Sequence, residues 1–247
     1  MEKKLNVVLQ RMDSKQLSKL WLFYRYYFKT DEDCLDFIYA AVVHEPVYTD
    51  KEQMELFFKA FEEKNYVDPN DSLFIPHRML NCVERMVSAA RDMEHTQQGK
   101  DVFKIVLLIS CSETLQTLGG KRSEKFLDFL ECNTSTVDKD YIREHFMRVT
   151  KTLYSGEDGF WQFANVLREY RNAAAHEGLY WETCFKNTSN QVPIMITTKL
   201  KPDDKEKGAY LFETNISYQE FEEIFVRSCI SFIKNYVSNQ EATHADT

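Results

Sequence analysis

Arg171-Asn172-Ala173-Ala174-Ala175-His176 brings a guanidinium, an amide and an imidazole together at one point of the chain, and Glu177-Gly178 follows at once. A guanidinium donates two parallel hydrogen bonds to a phosphate and stabilises charge that builds on it. An imidazole, with an unperturbed pKa of about 6.5, takes or gives a proton at neutral pH. Together they suffice for attack of a ribose 2′-hydroxyl on its neighbouring phosphate, a reaction that needs no metal. His176 would serve as base, acid or both. Arg171 would clamp the phosphate, and Asn172 would orient the imidazole or the substrate.

The spacing alone is a weak signal in a chain with eleven Arg and six His, so its context has to carry it. The motif closes an amphipathic stretch with an apolar stripe of Phe160, Phe163, Ala164, Leu167 and Ala174. Upstream, Ile105-Val-Leu-Leu-Ile-Ser-Cys-Ser-Glu-Thr-Leu is apolar nearly all round, which predicts a central buried helix over Val102–Leu118. Ser110, Glu113, Thr114 and Thr117 recur on it at i, i+3, i+4 and i+7 and form a polar stripe. A carboxylate on such a helix needs a partner. Glu113 is therefore expected to hold Arg171, with Ser110 and Thr114 in support. The plainer alternative is a solvated Arg171 pairing with Glu169 or Glu113, with His176 interacting with a helix C-terminus.

On an ideal helix Arg171 and His176 point about 140° apart. Either the helix ends near His176, where Gly178 invites a left-handed cap, or two copies meet and complete each other's site. Ala173, Ala174 and Ala175 would permit that close approach.

These residues, with Lys125-Phe126-Leu-Asp-Phe-Leu130 between them, resemble the HEPN superfamily of helical domains, many of them ribonucleases. Members carry an Arg, four to six residues, then His, commonly with a polar residue after the Arg, a slot filled here by Asn172. The resemblance covers Val102–Gly178. It implies a helical bundle that pairs with a second copy so that the motifs face a shared cleft. It further implies a metal-independent endoribonuclease, expected as a toxin or defence effector with an antitoxin or defence protein as partner. The rival expectation is a catalytically inactive module that dimerises or binds a nucleotide or protein.

Composition sets outer bounds. A net charge of −8 argues against a general nucleic-acid coat, although a locally basic cleft remains compatible with it. The segment 139–171 is near neutral, and Arg143, Arg148 and Lys151 could add phosphate contacts. The six Cys are scattered without metal-ligand or redox spacing, which predicts free thiols and a cytoplasmic protein. His44, His77, His95 and His145 lack ligand-spaced partners, so neither a metal nor a cofactor is expected. The longest apolar run is too short to cross a bilayer.

The remaining elements follow from periodicity and capping. Residues Leu17 to Phe28 show helical spacing, and Thr30-Asp-Glu-Asp33 and Thr49-Asp-Lys-Glu52 read as capping boxes. Pro76 suits the first turn of a helix with Met79, Val83, Met86, Ala90 and Met93 inward. Gly119-Gly120 ends the central helix. Helices are expected over Arg122–Glu131 and Asp138–Leu153, a β-hairpin over about 192–215 with Pro193 at an edge, and a last helix from Ser217-Tyr-Gln-Glu220 to about Val237. The predicted organisation is mainly α: a helical region over 1–95, a HEPN-like domain with the hairpin over 96–240, and a disordered tail over 241–247.

Overall fold

A computed structural model describes residues 1–45, 47, 50–62, 71–96, 101–121, 125–148, 152–153, 157–174, 185–186, 194–197 and 210–245. The protein is mainly α-helical. The chain divides into two compact units, Met1–Glu84 with Ile233–Thr247, and Arg85–Phe232. The first boundary falls within one helix, Ile75–Thr96, eleven residues before the one expected after His95.

The first unit is built on α1 (Glu2–Leu9), α2 (Ser14–Tyr24) and α3 (Asp31–Val42), with α4 (Asp50–Glu62) and the start of α5 (Ile75–Thr96). The Leu17–Tyr24 periodicity buries Leu17, Leu20, Phe23 and Tyr24. The Tyr24 hydroxyl donates to the Leu80 carbonyl at 2.9 Å, which satisfies a phenol that burial would otherwise leave unpaired. The Thr30 box forms as expected: Thr30 Oγ1 accepts from the Asp33 amide at 3.1 Å, and Asp33 accepts from the Thr30 amide at 3.2 Å. The second proposed box begins at Thr49, outside the described residues.

The second unit surrounds α9 (Glu157–Asn172). That helix packs against α6 (Asp101–Leu118), α7 (Phe126–Asn133), α8 (Thr136–His145) and strands of a sheet. Its expected stripe is buried throughout, from Phe160 to Ala174. Phe163 meets Phe146 edge-on at 5.4 Å and Phe221 at 5.3 Å, in the geometry that ring quadrupoles favour.

Helix α6 ends in a Schellman motif. The Lys121 amide donates to the Gln116 carbonyl at 2.8 Å and the Gly120 amide to the Thr117 carbonyl at 3.1 Å. Gly120 has φ +80°, a conformation that a Cβ disfavours. Gly120→Ala is expected to lower stability by about 1–2 kcal/mol, measurable as a fall in urea midpoint. An unchanged midpoint would contradict this account of the helix stop.

Beyond α8 the sequence expectation needs correction. The helix foreseen to Leu153 stops at His145, where Phe146 turns extended (φ −118°, ψ 116°). The chain continues as β1 (Phe146–Arg148) and β2 (Thr152–Leu153). Val149, Thr150 and Thr152 are β-branched and favour this outcome over helix. The expected hairpin forms from β3 (Ile194–Thr197) and β4 (Tyr210–Thr214), but it belongs to a larger antiparallel sheet of order β2-β1-β4-β3. Pro193 lies outside the described residues; β3, which follows it, is an edge strand. Phe146 on β1 stacks on Phe212 of β4 at 4.7 Å.

The last helix, α10 (Tyr218–Ala245), opens on the foreseen box. Ser217 Oγ accepts from the Glu220 amide at 3.2 Å, and Glu220 accepts from the Ser217 amide at 2.7 Å. The helix runs eight residues past its expected end at Val237, so residues 241–245 of the expected disordered tail are helical; the last two of that tail, 246–247, lie outside the described residues. Ser238-Asn-Gln-Glu-Ala carries neither Gly nor Pro to stop it.

Candidate functional site

Arg171 and Asn172 are the last two residues of α9, and Glu113 lies on the neighbouring helix α6. Arg171 Nη2 donates to both carboxylate oxygens of Glu113, while Nη1 donates to Asn172 Oδ1 at 3.1 Å. The expected Glu113–Arg171 pair is present, and Glu169 is engaged elsewhere, by Arg168 Nη2 at 2.9 Å. All three side chains are half-buried or better exposed: 24% of Arg171 and 42% of Glu113 remain accessible. A guanidinium held on one edge by a carboxylate and an amide keeps fixed geometry and retains its Nε edge for another acceptor.

The rest of the α6 stripe does not join in. Thr114 Oγ1 donates to the Ser110 carbonyl and Thr117 Oγ1 to the Glu113 carbonyl, both at 2.8 Å. These hydroxyls close back onto their own helix. Ser110 is half-buried and Thr117 is exposed. Glu113 alone reaches Arg171 from that stripe.

After Asn172 the backbone widens into a π-type turn at Ala173–Ala174. Such turns recur at functional positions. They also end the regular geometry from which the 140° separation of Arg171 and His176 was reckoned. His176 and Gly178 lie outside the described residues, so the arrangement of the full motif rests on the sequence. Of the additional basic candidates, Arg143 pairs with Asp140 at 2.6 Å. Lys151 is outside the described chain.

Two groups escaped the sequence reading. The first continues the site along α9. Gln162, Asn165, Arg168 and Arg171 stand three residues apart, and Arg168 Nη2 donates to Asn165 Oδ1 at 2.7 Å. The two amides, Gln162 and Asn165, set among the apolar residues Phe160–Leu167, were the available signal. The second is a buried ionic network. Asp101 accepts from Lys104 Nζ and from the Phe185 amide, both at 2.8 Å. Lys104 also lies over the Tyr218 ring, 4.4 Å from its centroid. Arg91 donates to buried Glu222 at 2.6 Å. Only Lys104 interrupts the apolar run in the sequence near the start of α6; the partners come from distant segments and gave no local sign.

Burial pushes the Glu222 carboxyl above the usual range, and the Arg91 hydrogen bond only partly offsets this. A carboxyl with a raised folded-state pKa holds its proton longer when folded. Its contribution is therefore full below the ordinary value of 4.5 and is lost as pH rises through the folded value. Relative to wild type, Glu222→Gln should gain stability as pH rises from about 4.5. Paired urea titrations check this; a difference that stays flat or moves the other way contradicts it.

Among the described residues, no group of three or more His, Cys, Asp or Glu side chains is placed to hold a metal ion, and no helix is long and apolar enough to cross a membrane. Comparison with protein-family models, curated proteins and solved structures finds no match to this chain.

Proposed function

We propose that the protein is a metal-independent endoribonuclease of HEPN type that cuts RNA by 2′-hydroxyl attack. The observation that carries this reading is the Glu113–Arg171–Asn172 cluster at the end of α9. It holds a partly exposed guanidinium in fixed geometry five residues before His176. In this reading Arg171 binds the scissile phosphate and stabilises its developing charge. His176 moves the proton of the 2′-hydroxyl, and Asn172 orients Arg171 through its amide oxygen. Glu113 is a positioning residue. The protein works as a homodimer in the cytoplasm, as a toxin or defence effector restrained or directed by a partner protein.

A second reading follows from the same cluster. Glu113 balances the charge of Arg171, as it would in a helix-packing ion pair of an inactive dimerisation or nucleotide-binding module. Incubating the full chain with RNA and with DNA of the same sequence in EDTA separates the two. The nuclease cuts the RNA alone. Intact RNA, single-stranded and structured, leaves the module.

A further inference from the structure

Leu22 on α2 is 79% exposed, and Tyr26, one turn on, is 70% exposed. Arg25 between them keeps helical φ and ψ (−49°, −35°), so this i, i+4 pair shares one face. The partner face of α2 is spent on its own core, where Leu17, Leu20, Phe23 and Tyr24 are buried. Helix α4 repeats the pattern: Met54 is 59% exposed and Phe58 53%. A lone exposed apolar residue is ordinary, but a large i, i+4 pair on each of two helices marks contact surfaces. The charges around the two pairs differ in sign. From Ser14 to Thr30 the chain carries Lys15, Lys19, Arg25 and Lys29 and no Asp or Glu, in a protein of net charge −8. Lys19 lies on Glu84 at 2.8 Å and Arg25 on Asp31, yet both cations stay 60% and 41% exposed. On α4, Glu55 stands three residues before Phe58 and Glu62 four after it. Both are exposed, with Lys51 3.7 Å from Glu55.

We propose that α2 of one copy packs antiparallel on α4 of a second copy, Leu22 against Phe58 and Tyr26 against Met54. The same register brings opposite charges together. Lys19 lies three residues before Leu22, and Glu62 four after Phe58; Arg25 lies three after Leu22, and Glu55 three before Phe58. On antiparallel helices those offsets set Lys19 beside Glu62 and Arg25 beside Glu55, so each cation bridges two carboxylates. Each copy carries both helices. Two copies therefore exchange them about a two-fold axis, and the contact closes instead of growing into a filament. Both helices lie outside Val102–Gly178, and the contact rests on neither α9 nor the ribonuclease reading. A membrane or RNA is the poorer occupant. Glu55 and Glu62 repel anionic lipid and phosphate from α4, and a single i, i+4 pair is a narrow face for a bilayer.

Sedimentation velocity of the full chain over a concentration series tests this. The wild type should associate reversibly, and added salt should weaken the association. Leu22→Glu and Phe58→Lys should each weaken it by about tenfold or more, since each sets a charge against an apolar side chain at the centre of both contacts. An equimolar mixture of the two variants should associate again. Its mixed dimer has one unaltered Leu22–Phe58 contact and one in which the two introduced charges are opposite. Circular dichroism should show unchanged folds, because both positions are more than half exposed. Tyr26→Glu with Met54→Lys repeats the test one turn away should Phe58→Lys unfold. Pairing through α9 is untouched by these substitutions, so association that persists in the single variants overturns the α2–α4 contact. A wild type that stays monomeric overturns it too, as does a mixture that associates no better than its components. A monomer that floats with phosphatidylserine vesicles, and ceases to in Leu22→Glu, overturns it in favour of a membrane surface.

Discussion

Arg171→Ala and His176→Ala each abolish RNA cleavage in EDTA, with losses of about 10²-fold or more. Removing a positioned acid–base group costs about 10²–10⁴ in rate, and removing a donor to the developing charge costs about 10²–10³. Arg171→Lys should also be poor, since an ammonium cannot reproduce the two-edged geometry that Glu113 and Asn172 hold. Stability should change little in Arg171→Ala. Glu113 is 42% exposed and can be solvated once its partner is gone, so the ion pair is worth no more than about 1 kcal/mol. Circular dichroism and melting curves would show a folded, inactive protein. Equal cleavage by wild type and both variants would remove Arg171 and His176 from the chemistry.

The largest effect on stability is expected far from the motif. Asp101→Ala removes one buried carboxylate from the Lys104 ammonium, 4% exposed, and the side-chain acceptor from the Phe185 amide. Breaking a buried pair from one side costs about 3–5 kcal/mol. The double variant Asp101→Leu, Lys104→Met removes both charges together and should recover most of that loss. Urea denaturation of the three proteins measures it. A mild effect for Asp101→Ala, below about 1 kcal/mol, would mean that water reaches the pair.

What could be read from the sequence was what is local. Thr30…Asp33 and Ser217…Glu220 announce their helices because both partners of each box lie within four residues. Gly119-Gly120 marks the end of α6 because only a glycine accepts the left-handed turn found at Gly120 without penalty. The α9 stripe and the buried α6 follow from helical periodicity, and the polar stripe on α6 led to Glu113. The Phe146–Leu153 stretch was misjudged because Phe146, Val149 and Leu153 satisfy helical spacing, while the strand partners of Phe146 and Met147 come from β4, more than sixty residues later. The length of α10 past Val237 was missed because a polar surface looks alike on a helix and on a frayed end. The Asp101–Lys104 network joins α6 to Phe185 and Tyr218, and no window of sequence holds all of them. Gln162 and Asn165 were visible as amides among apolar residues; that Gln162 has no hydrogen-bond partner among the described residues was not, because pairing is a property of packed neighbours.

The chemistry of the product ends tests the central claim most directly. RNA treated with the wild-type protein in EDTA should carry 2′,3′-cyclic phosphate, or the monophosphate it hydrolyses to, opposite a 5′-hydroxyl. A substrate whose ribose at the cut site lacks the 2′-hydroxyl should stay whole. Ends bearing a 5′-phosphate, or cleavage of the 2′-deoxy substrate, would contradict attack by the neighbouring hydroxyl and with it the roles given to Arg171 and His176.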